Sequence, residues 1–114
     1  AFNGSKQQAE QFIAMGFKLG FGGAMTYQRA TKLRDLAKSL PLECIVLETD
    51  APDMPPSWLP AGQKNSPKEL AKIAQILADL RQVKLSQVLD ITSANSRQIL
   101  PKLVNLCTSP QVLL

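Results

Sequence analysis

Histidine is absent from all 114 residues. Taken alone, the chain therefore offers no Ser-His-Asp triad, no Cys-His pair and no His-rich zinc site. Any metal or acid–base chemistry must rest on carboxylates or on residues outside these positions. Aromatic residues are also scarce, at 5%. The 13 Lys+Arg and 9 Asp+Glu are scattered, and the net charge is only +4. A stacking platform for single-stranded nucleic acid needs more aromatics interleaved with its cations. The mild basic excess is compatible with an anionic partner without requiring one. There are two cysteines, Cys44 and Cys107, far apart. This is no Cys-dense disulfide framework, and Cys44, inside an apolar run, reads as a small core residue. A reducing, cytoplasmic setting is expected. No apolar run is long and charge-free enough to cross a bilayer, so no membrane partner is expected. The chain opens Ala1-Phe2-Asn3-Gly4-Ser5, with neither a Met start nor a basic leader, and reads as the middle of something longer.

The chain nonetheless has an ordinary globular content of 45% hydrophobic residues, and their spacing is informative. Ser5 and Gln8 form a capping box, Ala9, Phe12 and Ile13 share a helical face, and Gly16 suits a helix C-terminus. Residues 17–22 alternate, with Phe17, Leu19 and Phe21 on one strand face and Gly20 and Gly22 on the other. The small face made by Gly20 and Gly22 fits either a close backbone approach or a bend. A second helix is expected from about Tyr27 to Leu40, ended by Pro41. Cys44-Ile45-Val46-Leu47 is a continuous apolar run, the mark of a strand covered on both faces in a parallel sheet. A proline-rich loop runs from Ala51 to Asn65 and holds Trp58, read here as packing the loop down. Ser66-Pro67-Lys68-Glu69 starts a third helix by a capping box, with a stripe of Leu70, Ile73, Ala74, Leu77 and Leu80. Two short helices are expected after it, 86–90 and 92–100, the second stopped by Pro101. The tail 101–114 has no firm period and is unassigned. Alternating strands and helices indicate an α/β arrangement with parallel strands, although two strands are too few for a complete sheet.

Glu48 and Asp50 are two residues apart at the carboxyl end of the second strand, so both point to one face. Ligands in α/β sheets and barrels bind at that end. The spacing leaves two readings open: a divalent-metal ligand that helps deprotonate a bound water, or a strand-end Asp that caps the next turn.

These residues carry a family resemblance. Ile45-Val46-Leu47-Glu48-Thr49-Asp50-Ala51-Pro52 resembles the LLLETDAP signature of the TatD family of metal-dependent hydrolases. Phe2-Asn3-Gly4-Ser5, Phe17 to Gly23, Lys64-Asn65-Ser66-Pro67 and Thr92 to Arg97 are similar to further motifs of that family, in order and spacing. The resemblance spans residues 1–100 and implies the carboxyl-terminal part of a TIM (β/α)₈ barrel, about strands six to eight with their helices. It implies a two-metal site whose histidine ligands all precede Ala1, with Asp50 as the last metal ligand and the base for the attacking water. Glu48 would be a second-shell acid orienting its neighbours. Lys64 and Asn65 would lie near substrate phosphate, and Gly4 and Ser5 at the mouth, where Ser5 also caps its helix. The implied cofactors are divalent ions, Mg, Mn or Zn. The implied activity is phosphodiester hydrolysis by a TatD-type deoxyribonuclease, with DNA or another phosphoester as substrate. Two alternatives stay open: a hydrolase of a small non-nucleic substrate on the same barrel, and a non-catalytic fragment acting as a folded module. The 114 residues alone are expected to be inactive, since one Asp cannot hold a catalytic ion. The flank of the first strand, which strand six would cover, must be paired or buried, or self-association follows.

Overall fold

The computed structural model describes residues 2–49, 51–105 and 112–113, with side chains through residue 99. Helix α1 (Lys6–Ala14) leads to strand β1 (Lys18–Phe21), helix α2 (Thr31–Ser39), strand β2 (Ile45–Leu47), helices α3 (Leu70–Arg81) and α4 (Leu85–Asn105), and strand β3 (Val112–Leu113). All pairings are parallel, in the order β2-β1-β3. Leu19, Gly20 and Phe21 face Ile45, Val46 and Leu47 across the β1–β2 ladder.

The expected capping box at α1 is complete. The Ser5 hydroxyl accepts from the Gln8 N–H and the Gln8 side chain accepts from the Ser5 N–H. Gly16, at φ +88°, turns the chain into β1 through a left-handed conformation that favours glycine. Leu19, Phe21 and Ile45 carry one face of the sheet into the main core, with Met25, Leu36, Ala37, Ile73 and Leu77 from the elements above it. Val46 lies on the other face and packs against Ile99 of α4. The apolar run is thus covered on both sides, as its lack of alternation requires.

Four sequence expectations are corrected. Helix α2 begins at Thr31 rather than Tyr27, because residues Gly23–Thr26 form a 3-10 turn that hands Tyr27 to the long loop. Cys44 is only half-buried. At the third helix, Ser66 does cap, but it accepts from the Lys68 N–H, and the first turn is 3-10. Glu69 does not complete a capping box; it is buried, and its carboxylate accepts the indole N–H of Trp58 at 2.8 Å. The two short helices are one, α4, running through Pro101. Thr92 is no cap, since its hydroxyl donates to the Val88 carbonyl one turn back at 2.8 Å. A proline inside a helix leaves one carbonyl without its donor at about 3 kcal/mol, a penalty and not a prohibition.

The joints between elements are closed by single polar side chains. Arg81 donates to the Ala37 and Leu40 carbonyls at 2.9 and 2.6 Å, satisfying the end of α2. Burial lowers its guanidinium pKa from the ordinary arginine value, and the charge of Glu43 acts in the opposite sense. Asn95, buried in α4, donates to the Leu42 and Ile45 carbonyls at 2.9 and 2.7 Å and ties the helix to the start of β2. Successive strand carbonyls point to opposite edges. The Phe21 carbonyl receives the Glu48 N–H on the β2 side, and the Gly20 carbonyl receives the Phe2 N–H on the other. The flank expected to need cover is therefore paired within the chain, by β3 at Lys18 and Leu19 and by Phe2 at Gly20.

Candidate functional site

Three loops gather at the carboxyl ends of the strands: residues 2–5 before α1, 22–30 after β1 and 48–65 after β2. Glu48 follows β2 directly and is half-buried. It lies against Gly22, where a Cβ would stand 2.5 Å from Glu48 Oε1, 2.9 Å from its Cδ and closer still to its carbonyl oxygen. Of the two readings of the glycine face, the close approach is the one found at Gly22. Its side-chain space is taken by the acid of the neighbouring strand end.

The long loop, too, is laid on a glycine. A Cβ on Gly23 would meet the Met54 carbonyl at 2.6 Å and the Pro56 nitrogen at 3.0 Å. Three further ties hold it. The Tyr27 hydroxyl donates to the Pro55 carbonyl at 2.8 Å. The Thr26 hydroxyl donates to the Gly23 carbonyl and accepts the Ser57 N–H. Trp58 packs on the core and reaches Glu69. A loop of this length without regular structure stays in place only when anchored in this way.

Asn65 is buried at 4% exposure. Its amide nitrogen donates to the Thr49 carbonyl at 2.5 Å and the Asp53 carbonyl at 2.8 Å, with Met54 at 3.4 Å, and its amide oxygen accepts the Ser66 N–H. The side chain thus ties Thr49 to Asp53 and Met54. These contacts occupy the amide, and they make Asn65 a positioning group rather than a surface one. Lys64, one residue earlier, is exposed. Asp50 lies outside the described residues. Gly4 and Ser5 are engaged locally, Gly4 against the Gln8 side chain and Ser5 as the cap. The sequence reading missed Asn95, Arg81 and Glu69 as organising residues. Asn95 stood inside a quoted motif, and its burial on a helix face was the available signal.

A divalent ion takes four or more donors. Among the described residues there is no cluster of three His, Cys, Asp or Glu side chains that could hold one. At the end of β2 the described carboxylate is Glu48. One carboxylate among the described residues supplies one donor group of the several that such an ion takes. Among the described residues no helix is long and apolar enough to cross a membrane.

A parallel sheet under helices, with Glu48 and three loops at its carboxyl edge, fits a portion of a (β/α)₈ barrel of the hydrolase type. The comparisons agree. The family model "TatD related DNase" matches residues 1–101, and the chain belongs to the TatD family. It is 50% identical over 80 residues to the uncharacterized metal-dependent hydrolase YjjV of Escherichia coli K12, covering 70% of this chain and 30% of that protein. The crystal structure of YjjV superposes with a TM-score of 0.79 at 43% identity, over 84% of this chain and 37% of that one. A relative from Rahnella, named 3'-5' ssDNA/RNA exonuclease TatD, is 30% identical over 86% of this chain and 39% of its own length. The chain thus spans well under half of the relatives it matches.

Proposed function

We propose that these residues are the carboxyl-terminal portion of a metal-dependent phosphodiesterase, a TatD-type deoxyribonuclease of the cytoplasm. The observation that carries the reading is the carboxyl edge of β2. There Glu48 is seated in the space left by Gly22, and Asn65 ties Thr49 to Asp53, in a chain whose family model is a DNase. In this reading Asp50 is a metal ligand and accepts the proton of the attacking water. Glu48 orients the ligands beside it. Exposed Lys64 supplies a point charge to the substrate phosphate, and Asn65 acts by holding the loop that carries Lys64. Two divalent ions, Mg, Mn or Zn, would polarise the phosphate and lower the pKa of the water when bound. The remaining ligands come from outside these 114 residues, so the chain alone hydrolyses nothing.

The test is hydrolysis of single-stranded DNA and of simple phosphoesters by the full-length protein with Mg²⁺ or Mn²⁺. Turnover of DNA is expected, abolished by chelation. Asp50→Asn is expected to lower kcat by about a thousandfold, the scale of a lost general base. Turnover of small esters without any nucleolytic product would shift the substrate to the non-nucleic class. Activity in the isolated chain, or a tight stoichiometric metal site in it by calorimetry, would refute the shared-site reading.

A further inference from the structure

The proposed chemistry leaves one buried acid without a part. Glu69 is 7% exposed and stands at the head of α3, in the 3-10 turn Pro67–Glu69 capped by Ser66. The helix behind it is fixed, since Ile73, Ala74 and Leu77 are fully buried. A carboxyl group is costly to bury without a partner, and the Trp58 indole N–H supplies one at 2.8 Å. Lys72, one turn further along α3, stands over the same ring, 5.8 Å from its centre. The start of α3 thus holds the one tryptophan of the chain by its edge and by its face.

Between Trp58 and Asn65 runs a limb that cannot place itself. Residues 60–64 are all exposed. Its turns are local: the Leu59 N–H donates to the Pro56 carbonyl at 3.2 Å, and the Gln63 N–H to the Pro60 carbonyl at 3.0 Å. Gly62, at φ +85°, bends it where an added Cβ would meet nothing within 4 Å. Local turns shape a limb but do not aim it. Its aim is set at its two ends, by buried Asn65 at one and by the Trp58–Glu69 bond at the other. Lys64 is the last residue of that limb.

We infer that Glu69 is a positioning residue for the reaction: through Trp58 it fixes the limb that carries Lys64, and so aims the Lys64 charge at the substrate phosphate. The inference rests on the phosphodiesterase reading and adds a second support, on a different element, to the one Asn65 gives. A charge that meets the phosphate equally in the ground and transition states acts on KM and leaves kcat alone.

The test uses the full-length protein, with Trp58→Phe, which removes the N–H and keeps a ring, Lys64→Ala, and the two combined. The first readout is turnover of bis(p-nitrophenyl) phosphate with Mn²⁺. Trp58→Phe is expected to raise KM by about fivefold, the scale of one hydrogen bond, with kcat unchanged. In the Lys64→Ala background the same change is expected to have no further effect, because two residues acting through one contact are not additive. Glu69→Gln, which keeps an acceptor, is expected to retain the wild-type KM, and Glu69→Ala to match Trp58→Phe. The second readout is amide hydrogen exchange of the metal-free protein. Trp58→Phe is expected to speed exchange in residues 59–64 and to leave β1 and α3 as they were. Additive losses of kcat/KM, a fall in kcat with KM unchanged, or exchange that rises everywhere would reduce the bond to a structural one and overturn the inference. Unchanged exchange at 59–64 overturns it as well. If the wild type cleaves no phosphodiester, the hydrolase reading falls and the role at the phosphate falls with it, while exchange still decides whether the bond holds the limb.

Discussion

Replacing Asn65 by Asp changes one nitrogen to oxygen and nothing in size, and it tests the clasp that joins Thr49 to Asp53. The amide nitrogen gives two short hydrogen bonds, at 2.5 Å to Thr49 and 2.8 Å to Asp53, from a side chain 4% exposed. A carboxylate cannot donate there. Two bonds of about 1 kcal/mol each are lost, and an unpaired buried group adds about 1–3 kcal/mol, giving about 3–5 kcal/mol at pH 7. Such a loss is a large part of the usual 5–15 kcal/mol of domain stability. The loop can also release locally, so activity is expected to fall further than the midpoint of urea unfolding. The pH dependence has a definite sign. Facing carbonyl oxygens, the introduced carboxyl has its folded-state pKa raised above its unfolded value of about 3.9. The folded state then binds the extra proton, so the penalty is full above the raised pKa and shrinks as pH falls through it. Urea unfolding of wild type and Asn65→Asp at pH 7 and near pH 4 measures both quantities. A variant as stable as wild type at pH 7, or a stability difference that does not narrow toward pH 4, would refute the clasp.

Two further substitutions probe the frame of the site. Gly22→Ala sets a methyl 2.5 Å from Glu48 Oε1 and against its main chain, which is expected to destabilise by about 1–3 kcal/mol and to reduce turnover in the full-length enzyme. Its φ of −149° is open to any residue, so unchanged stability would mean that Glu48 moves aside freely. Asn95→Ala removes both bonds to the Leu42 and Ile45 carbonyls, and a loss of about 2–4 kcal/mol with an unchanged urea m-value is expected. Hydrolysis per folded molecule should persist, because this side chain braces β2 from its entry end.

The legible parts of the sequence were those governed by local rules. Ser5 with Gln8, Gly16 and the run at 44–47 each needed only near neighbours to determine what they did. Of the acidic strand end, Glu48 falls among the described residues, half-buried directly after β2. Sequence reasoning failed where distant partners decide. Glu69 has the spacing of a capping residue, but Trp58, eleven positions earlier, offers a buried donor that competes for its carboxylate. Asn65 looks like a substrate contact in a polar motif, yet three carbonyls folded back by the loop claim its amide. Pro101 looked like a stop because the rule is local, whereas α4 is held by Val88, Asn95 and Ile99 in the cores it joins. The tail could not be placed at all, since the pairing of β3 with β1 joins segments more than 90 positions apart and leaves no periodic trace.

The seating of the long loop also has an optical consequence. The chain contains one tryptophan, Trp58. Its indole nitrogen is bonded to Glu69, its ring rests on the core, and Lys72 stands 5.8 Å from the ring centre. Within these residues, emission excited at long wavelength comes from one chromophore, and its hydrogen bond and half-buried ring exist only while the loop is docked. A red shift and altered quenching would follow the loop's release in real time, without a label.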